Sequence, residues 1–332
     1  MSKPAISVAM SVYNGEQYLA LAIESILAQT FADFEFLIVN DGSSDGSAAI
    51  IDNYAAKDSR IRAIHRENKG LVISLNQMVE EARAPLIARM DCDDISLPER
   101  FAKQMAFLDA NPDYGVIGTW TSDIDENGDP FPLEGSDHAT SHEQFMAEIG
   151  SGAMLCHPSV IMRRDAVLAV GGYHQAFKHC EDFDLWLRLA SVTKLCSLPE
   201  RLVKYRHWAN QVSSRYAYVQ RLGAAISLAA FRERAAGRPD PTDTLQVLPP
   251  VSGLDALFGR PGIGRDVRAF AVPGLLYSET ALRGEGYALM QDYIAEGGNR
   301  DGLWRTVARL TRIGEPKRAL GLAKALILQQ AA

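Results

Sequence analysis

Apolar and polar positions alternate between two periods along the first hundred residues. Ala5–Tyr13 is a short apolar run that stops at Asn14-Gly15, and it reads as a buried strand. Leu19, Ile23, Ile26 and Leu27 then fall at i, i+4, i+7 and i+8, the spacing of one helical face. The same exchange repeats with a strand at Phe34–Val39, a helix near Ala48–Ala56, a strand at Ile61–His65, a helix carrying Leu71, Leu75, Met78, Val79 and Ala82, and a strand at Leu86–Met90. Repeated strand–helix units predict a parallel, doubly wound sheet, because parallel strands need crossover helices. In such sheets ligands bind at the carboxyl ends of the strands. Two acidic turns sit there: Asp41–Asp45 after the second strand and Asp91-Cys92-Asp93-Asp94 after the fourth.

Beyond the fourth strand, Ser96-Leu97-Pro98-Glu99 has the spacing of a capping box and predicts a helix running to Ala110. Shorter strands are expected near Gly115–Trp120, Ser159–Met162, Lys194–Leu198 and Leu202–Tyr205, with a helix near Asp182–Ser191. From Ser214 only helical patterns broken by Gly and Pro remain. The division expected is therefore a catalytic domain over 1–213 and a helical region over 214–332.

The charge separates along the same line. Residues 1–214 hold 18 Lys/Arg against 30 Asp/Glu, and residues 215–332 hold 16 against 11, balances of -12 and +5. An overall charge of -7 argues against nucleic acid as a partner. Four cysteines without regular spacing suit reduced thiols rather than a disulfide framework. With no apolar leader and no stretch long enough to span a bilayer, the expectation is a cytoplasmic protein, at most peripheral at the inner face of the membrane.

Several groups can carry chemistry. Carboxylates at i and i+2 after a strand, as in Asp91 and Asp93, can converge on Mn²⁺ or Mg²⁺, which keep positions open for substrate phosphates. Asp41 can accept from a base N–H or a ribose hydroxyl, and Tyr13 can stack on a base; a turn-forming Asp and a core tyrosine are the plain readings. No G-x-G-x-x-G follows the first strand, which disfavours a hydride-transfer enzyme. Glu181 and Asp182 open an amphipathic helix, where the helix dipole alone would favour acids. Either could take a proton from an acceptor hydroxyl. Cys156-His157 and His179-Cys180 lack zinc-ligand spacing.

Together the segments Ser11-Val12-Tyr13-Asn14, Val39-Asn40-Asp41-Gly42-Ser43-Ser44-Asp45, Ala88-Arg89-Met90-Asp91-Cys92-Asp93-Asp94, His157-Pro158-Ser159-Val160 and Glu181-Asp182-Phe183-Asp184-Leu185-Trp186 resemble the family 2 glycosyltransferases over roughly residues 5–213. The resemblance implies a GT-A fold, with a doubly wound mixed sheet whose nucleotide-binding half is joined to an acceptor half. It implies inverting transfer of a sugar from a nucleotide-sugar, a UDP-sugar, to the hydroxyl of a glycan or lipid-linked acceptor, in polysaccharide or glycoconjugate synthesis. Val12, Tyr13, Asn14, Asp41, Arg89, Asp91 and Cys92 would hold the donor nucleotide, Asp93 the metal, Asp182 the catalytic proton with Glu181 next to it, and His157 and Trp186 the acceptor side. Many relatives carry a metal-side histidine in a Tyr-Arg-x-His pattern. Here the stretch reads Tyr205-Arg206-His207-Trp208, so either His207 takes that role with a one-residue shift or the metal lacks the ligand. A nucleotidyltransferase, which would need a basic Gly-rich loop after the first strand, and an inactive transferase-like scaffold are the rival readings. The C-terminal helices could pack on the catalytic domain, form a homo-oligomer or meet an anionic membrane.

Overall fold

Strand β1 (Ile6–Val12) is buried at six of its seven positions, as a run covered on both faces requires. In a computed structural model, which describes residues 3–131, 136–151, 155–208 and 216–328, β1 lies inside the set formed by the first four strands. It pairs in parallel with β2 (Phe34–Asp41) on one side and β4 (Leu86–Met90) on the other. Strand β3 (Ile61–Arg66) extends the parallel set beyond β2. The crossovers are helices α1 (Leu19–Leu27), α2 (Ser47–Ala55) and α3 (Leu71–Glu81). On α1, Leu19, Ala22, Ile23 and Ile26 are the buried face. Each fully buried Leu or Ile contributes about 1.5–3 kcal/mol.

Past β4 the sheet becomes mixed. The full order is β3-β2-β1-β4-β7-β6-β8-β5, with β5 at Ile95–Ser96, β6 at Tyr114–Ile124, β7 at Ile161–Arg163 and β8 at Lys194–Arg206. Strand β7 runs antiparallel to both β4 and β6, whereas β6 and β8 are parallel. Helices α4 (Arg100–Ala110), α5 (His142–Glu148), α6 (Arg164–Ala169) and α7 (Glu181–Leu189) connect these strands.

Three local expectations are corrected. The two strands expected at 194–198 and 202–205 are one strand, β8. The capping box does not form: Ser96 lies in β5, its hydroxyl accepts from Gln29 Nε2 at 3.1 Å, and α4 starts at Arg100 without a side-chain cap. His157–Ser159 is a 3₁₀ turn, and the strand after it begins only at Ile161.

The chain divides into two units, Met1–Tyr173 with Leu185–Trp208, and His174–Asp184 with Ala209–Ala332. The boundary expected at 213/214 lies outside the described residues. The second unit is helical after residue 216: α8 (Ala217–Ala235), α9 (Leu254–Leu257), α10 (Ile263–Ala271), α11 (Glu279–Arg283), α12 (Gly286–Ala295), α13 (Leu303–Arg312) and α14 (Pro316–Leu328). Its own core gathers Ile226, Leu254, Val267, Leu282, Leu310 and Leu326. Among the described residues no helix is long and apolar enough to cross a membrane.

Candidate active site

The parallel strands bring three loops to one sheet edge. Register pairs Met10 with Met90 and Val12 with Asn40, so the chain leaves β1, β2 and β4 side by side. The first two loops are tied together through side chains. Asn14 sits at φ 52°, its amide donates to Ser43 Oγ at 3.0 Å and its Oδ1 accepts from the Ser44 amide at 2.8 Å. The Gly15 amide donates to Ser47 Oγ, and the Glu16 amide to Asp45 Oδ2, both at 3.0 Å. Burial pushes the Asp45 carboxyl up, but hydrogen bonds from the Ser47 hydroxyl and the Glu16 and Ser47 amides hold it below its ordinary value. The third loop touches the first, since a Cβ at Gly15 would lie 3.0 Å from Cys92 Sγ.

Tyr13 leaves β1 with its side chain 58% exposed on this rim, a large apolar face turned to solvent. Asp41, by contrast, is buried. Its Oδ1 accepts from the Lys69 amide at 3.0 Å and meets Arg66 Nη2 at 2.8 Å, and its Oδ2 accepts from the Gly70 amide at 2.8 Å. It therefore fastens the 66–70 segment. Gly42 fits beside that segment only without a side chain: it has φ 77° and an added Cβ would approach the Asn68 amide to 2.6 Å.

The acidic turn after β4 is anchored from β8. Arg89 is buried and its guanidinium pairs with Asp91 Oδ1. Arg206 donates from Nε to the Asp93 carbonyl at 2.8 Å, while its backbone amide donates to Asp94 Oδ1 at 2.9 Å. The indole Nε1 of Trp208 donates to Asp93 Oδ2 at 2.9 Å. Tyr18 backs both: the Arg206 guanidinium lies 4.2 Å over its ring and Trp208 meets it edge-on at 6.0 Å.

These contacts leave negative charge uncompensated. Burial, then the Asp91 charge, push the Asp93 carboxyl up to about 6. Burial, then Asp93 and Asp91, push Asp94 well above the carboxylate range, and its Oδ2 has no hydrogen-bond partner among the described residues. Crowded carboxylates that resist ionising fit a divalent cation. Among the described residues no three His, Cys, Asp or Glu side chains converge on a metal position. A hard cation here would rest on one or two carboxylates and take its other oxygens from phosphate and water.

The family model described as Glycosyl transferase family 2 matches residues 7–171. EpsE of Bacillus subtilis (strain 168) is 39% identical over 193 residues, covering 56% of this chain and 67% of EpsE. The O-antigen biosynthesis glycosyltransferase WbnJ of Escherichia coli is 32% identical over 239 residues, covering 69% of this chain and 89% of WbnJ. The chain belongs to glycosyl transferase family 2. Its fold is that of S. aureus TarS 1–349, solved in complex with UDP-GlcNAc, with a TM-score of 0.58 at 15% identity over 96% of this chain and 90% of TarS.

In this transferase two predicted acceptor contacts are core residues. Trp186 is fully buried, so an acceptor cannot reach it there. His157 is buried against it, with ring centroids 5.9 Å apart, and its Nε2 lies 2.9 Å from the Tyr173 hydroxyl. Burial, aided by Arg89, holds His157 well below its ordinary pKa and therefore neutral. His207 packs against Asp123 and Phe131: its Nε2 lies 3.2 Å from Asp123, and its ring faces Phe131 at 4.7 Å. Side chains alternate along an extended chain, so Arg206 and Trp208 share one face and His207 takes the other.

Of the acids opening α7, Glu181 is buried and Asp184 is fully buried against His174 at 3.2 Å and Ser227 at 3.3 Å. Asp182 is half-buried. Sequence reasoning missed Trp208, Arg206, Tyr18 and Asp94. For the first two, the available signal was side-chain alternation continued past the end of β8 at Arg206.

Trp208→Phe keeps the ring against Tyr18 but removes the donor to Asp93. A hydrogen bond to a charged group is worth about 1.5–3 kcal/mol, so on the reading proposed below, in which Asp93 holds Mn²⁺ for a UDP-sugar, the variant should weaken metal-dependent UDP binding by roughly 10–100-fold. A titration curve overlaying that of the wild type would deny the indole this role.

Proposed function

We propose that this transferase moves a sugar from a UDP-sugar to an acceptor hydroxyl with inversion, using Mn²⁺ or Mg²⁺ held at Asp93. The observation that carries the reading is the over-acidic Asp91–Asp94 turn at the carboxyl end of β4, packed against the loop after β1. The proposed roles divide along residues 1–213, as the catalytic domain, and 214–332, as a helical region serving the acceptor.

Tyr13 offers a face for the base, with Val12 and Asn14 setting its position. Asp41 keeps one lone pair, on Oδ2, beyond its partners, and the support for a base or ribose contact is its place at the end of β2. Arg89 holds Asp91 toward the donor, and Cys92 spaces the two acids. A bound cation would offset the charge that develops on the leaving diphosphate. Asp182 takes the acceptor proton, being more accessible than Glu181 and placed in the first turn of α7. The relatives' names support a glycan product, and the UDP-GlcNAc complex of TarS supports uridine.

Titration of UDP, GDP and TDP into the protein, with and without Mn²⁺, tests the donor class. UDP alone should bind, and only with metal. Binding of GDP or TDP in its place would replace the donor, and no nucleotide binding by folded protein would end the reading.

A further inference from the structure

The last two helices expose a surface that the transfer reaction does not use. Between Gly302 and Leu328 the chain carries Arg305, Arg309, Arg312, Lys317, Arg318 and Lys324 against the single acid Glu315. Glu315 is already paired, at 2.9 Å with Arg283 and 3.6 Å with Arg318. The other five cations are exposed, and no ion pair to any of them is found among the described residues. Large apolar side chains are exposed on the same two helices: Trp304 on α13, and Leu320, Ile327 and Leu328 on α14, are 47–73% exposed. Tyr277, half-exposed, has its hydroxyl 3.4 Å from where a Cβ at Gly302 would lie, next to the start of α13.

The helical period sorts these groups. On α14, Lys317, Leu320, Lys324, Ile327 and Leu328 fall at i, i+3, i+7, i+10 and i+11, one stripe, while Ala319, Leu322 and Leu326 form the buried face. On α13, Leu303, Thr306 and Leu310 are buried, and Trp304, Arg305, Arg309 and Arg312 are exposed.

We propose that α13 and α14 form a docking surface for an anionic lipid bilayer. Cations interleaved with Trp, Leu and Ile suit the boundary between headgroups and acyl chains, where indoles and phenols also settle. A second copy of the chain fits less well, because Lys317 and Lys324 sit within the apolar stripe and would face like charges. This inference stands on the helices alone and is independent of the donor reading.

Flotation of the full-length protein with vesicles tests it, using phosphatidylcholine alone or mixed with about 30 mol% phosphatidylglycerol, a charge sufficient to attract basic segments. The protein should float with the anionic vesicles only, less so as salt rises, and Trp304 fluorescence should shift to the blue. Each basic residue near such a surface contributes about fivefold in partitioning. Arg305→Gln/Arg309→Gln/Lys324→Gln should therefore lose about 100-fold, and Leu320→Gln/Ile327→Gln should also release the protein. Unchanged far-UV circular dichroism and an unchanged thermal unfolding curve show that the variants are folded. Equal flotation with neutral vesicles, or none with anionic ones at low salt, overturns the proposal. So does a fall in oligomeric state in Leu320→Gln/Ile327→Gln, which would assign the stripe to a second copy.

Discussion

Replacing Asp182 by Asn lowers kcat for sugar transfer by about 10²–10⁴-fold, the range a lost general base commands, and leaves nucleotide affinity unchanged. The amide keeps the size of the carboxylate and can still accept from the Phe183 amide, which the native Oδ1 does at 2.8 Å. Only the proton acceptor disappears, so the loss belongs in kcat and not in binding. Single-turnover transfer combined with a UDP titration separates the two. Near-normal kcat would move the base elsewhere, and Glu181→Gln would then be the variant to make, although Glu181 is buried at the same helix start.

On the proposed reading, Asp93→Ala should abolish the gain in UDP affinity that Mn²⁺ gives, a loss of at least about 10²-fold, since changing even the partners of a metal ligand costs about 10–100-fold in metal affinity. The effect also carries a pH signature. With its carboxyl raised to about 6, Asp93 is protonated below that pH, and a cation must displace the proton. The apparent affinity for UDP with Mn²⁺ should therefore fall about tenfold per pH unit below 6 and level off above it. Titration of Mn²⁺ into free UDP across the same range subtracts the ionisation of the nucleotide itself. A protein profile that follows the nucleotide's own ionisation alone would remove Asp93 from the metal site.

The nucleotide half was legible because its strands are continuous apolar runs and its helices keep a 3.6 period. Leu86–Met90 matches β4 end to end, and the Leu19–Leu27 spacing matches α1. Strand β8 was split because Pro199-Glu200 reads as a break. The ladder absorbs both residues as an irregularity, stepping from Thr119↔Leu198 to Trp120↔Arg201. Ser96 looked like a helix cap, but its hydroxyl is engaged by Gln29 across the fold. His207 was chosen by residue type, whereas position along an extended strand decides which side chain reaches Asp93. Trp186 carried an acidic motif's neighbourhood yet lies in the core, because α7 is buried at every position from Phe183 to Leu189 and a helix covered on all sides leaves no accessible face.

The hydrogen bonds from Asn14, Gly15 and Glu16 to Ser43, Asp45 and Ser47 have a kinetic meaning as well. A loop that must order around its ligand slows association and spends part of the contact energy on its own entropy. Here the two loops are already fastened to each other before any donor arrives. On the proposed reading, a nucleotide lands on a floor that is set in advance. Its association rate should then follow diffusion and charge, and differences between bases should show in how long each one stays.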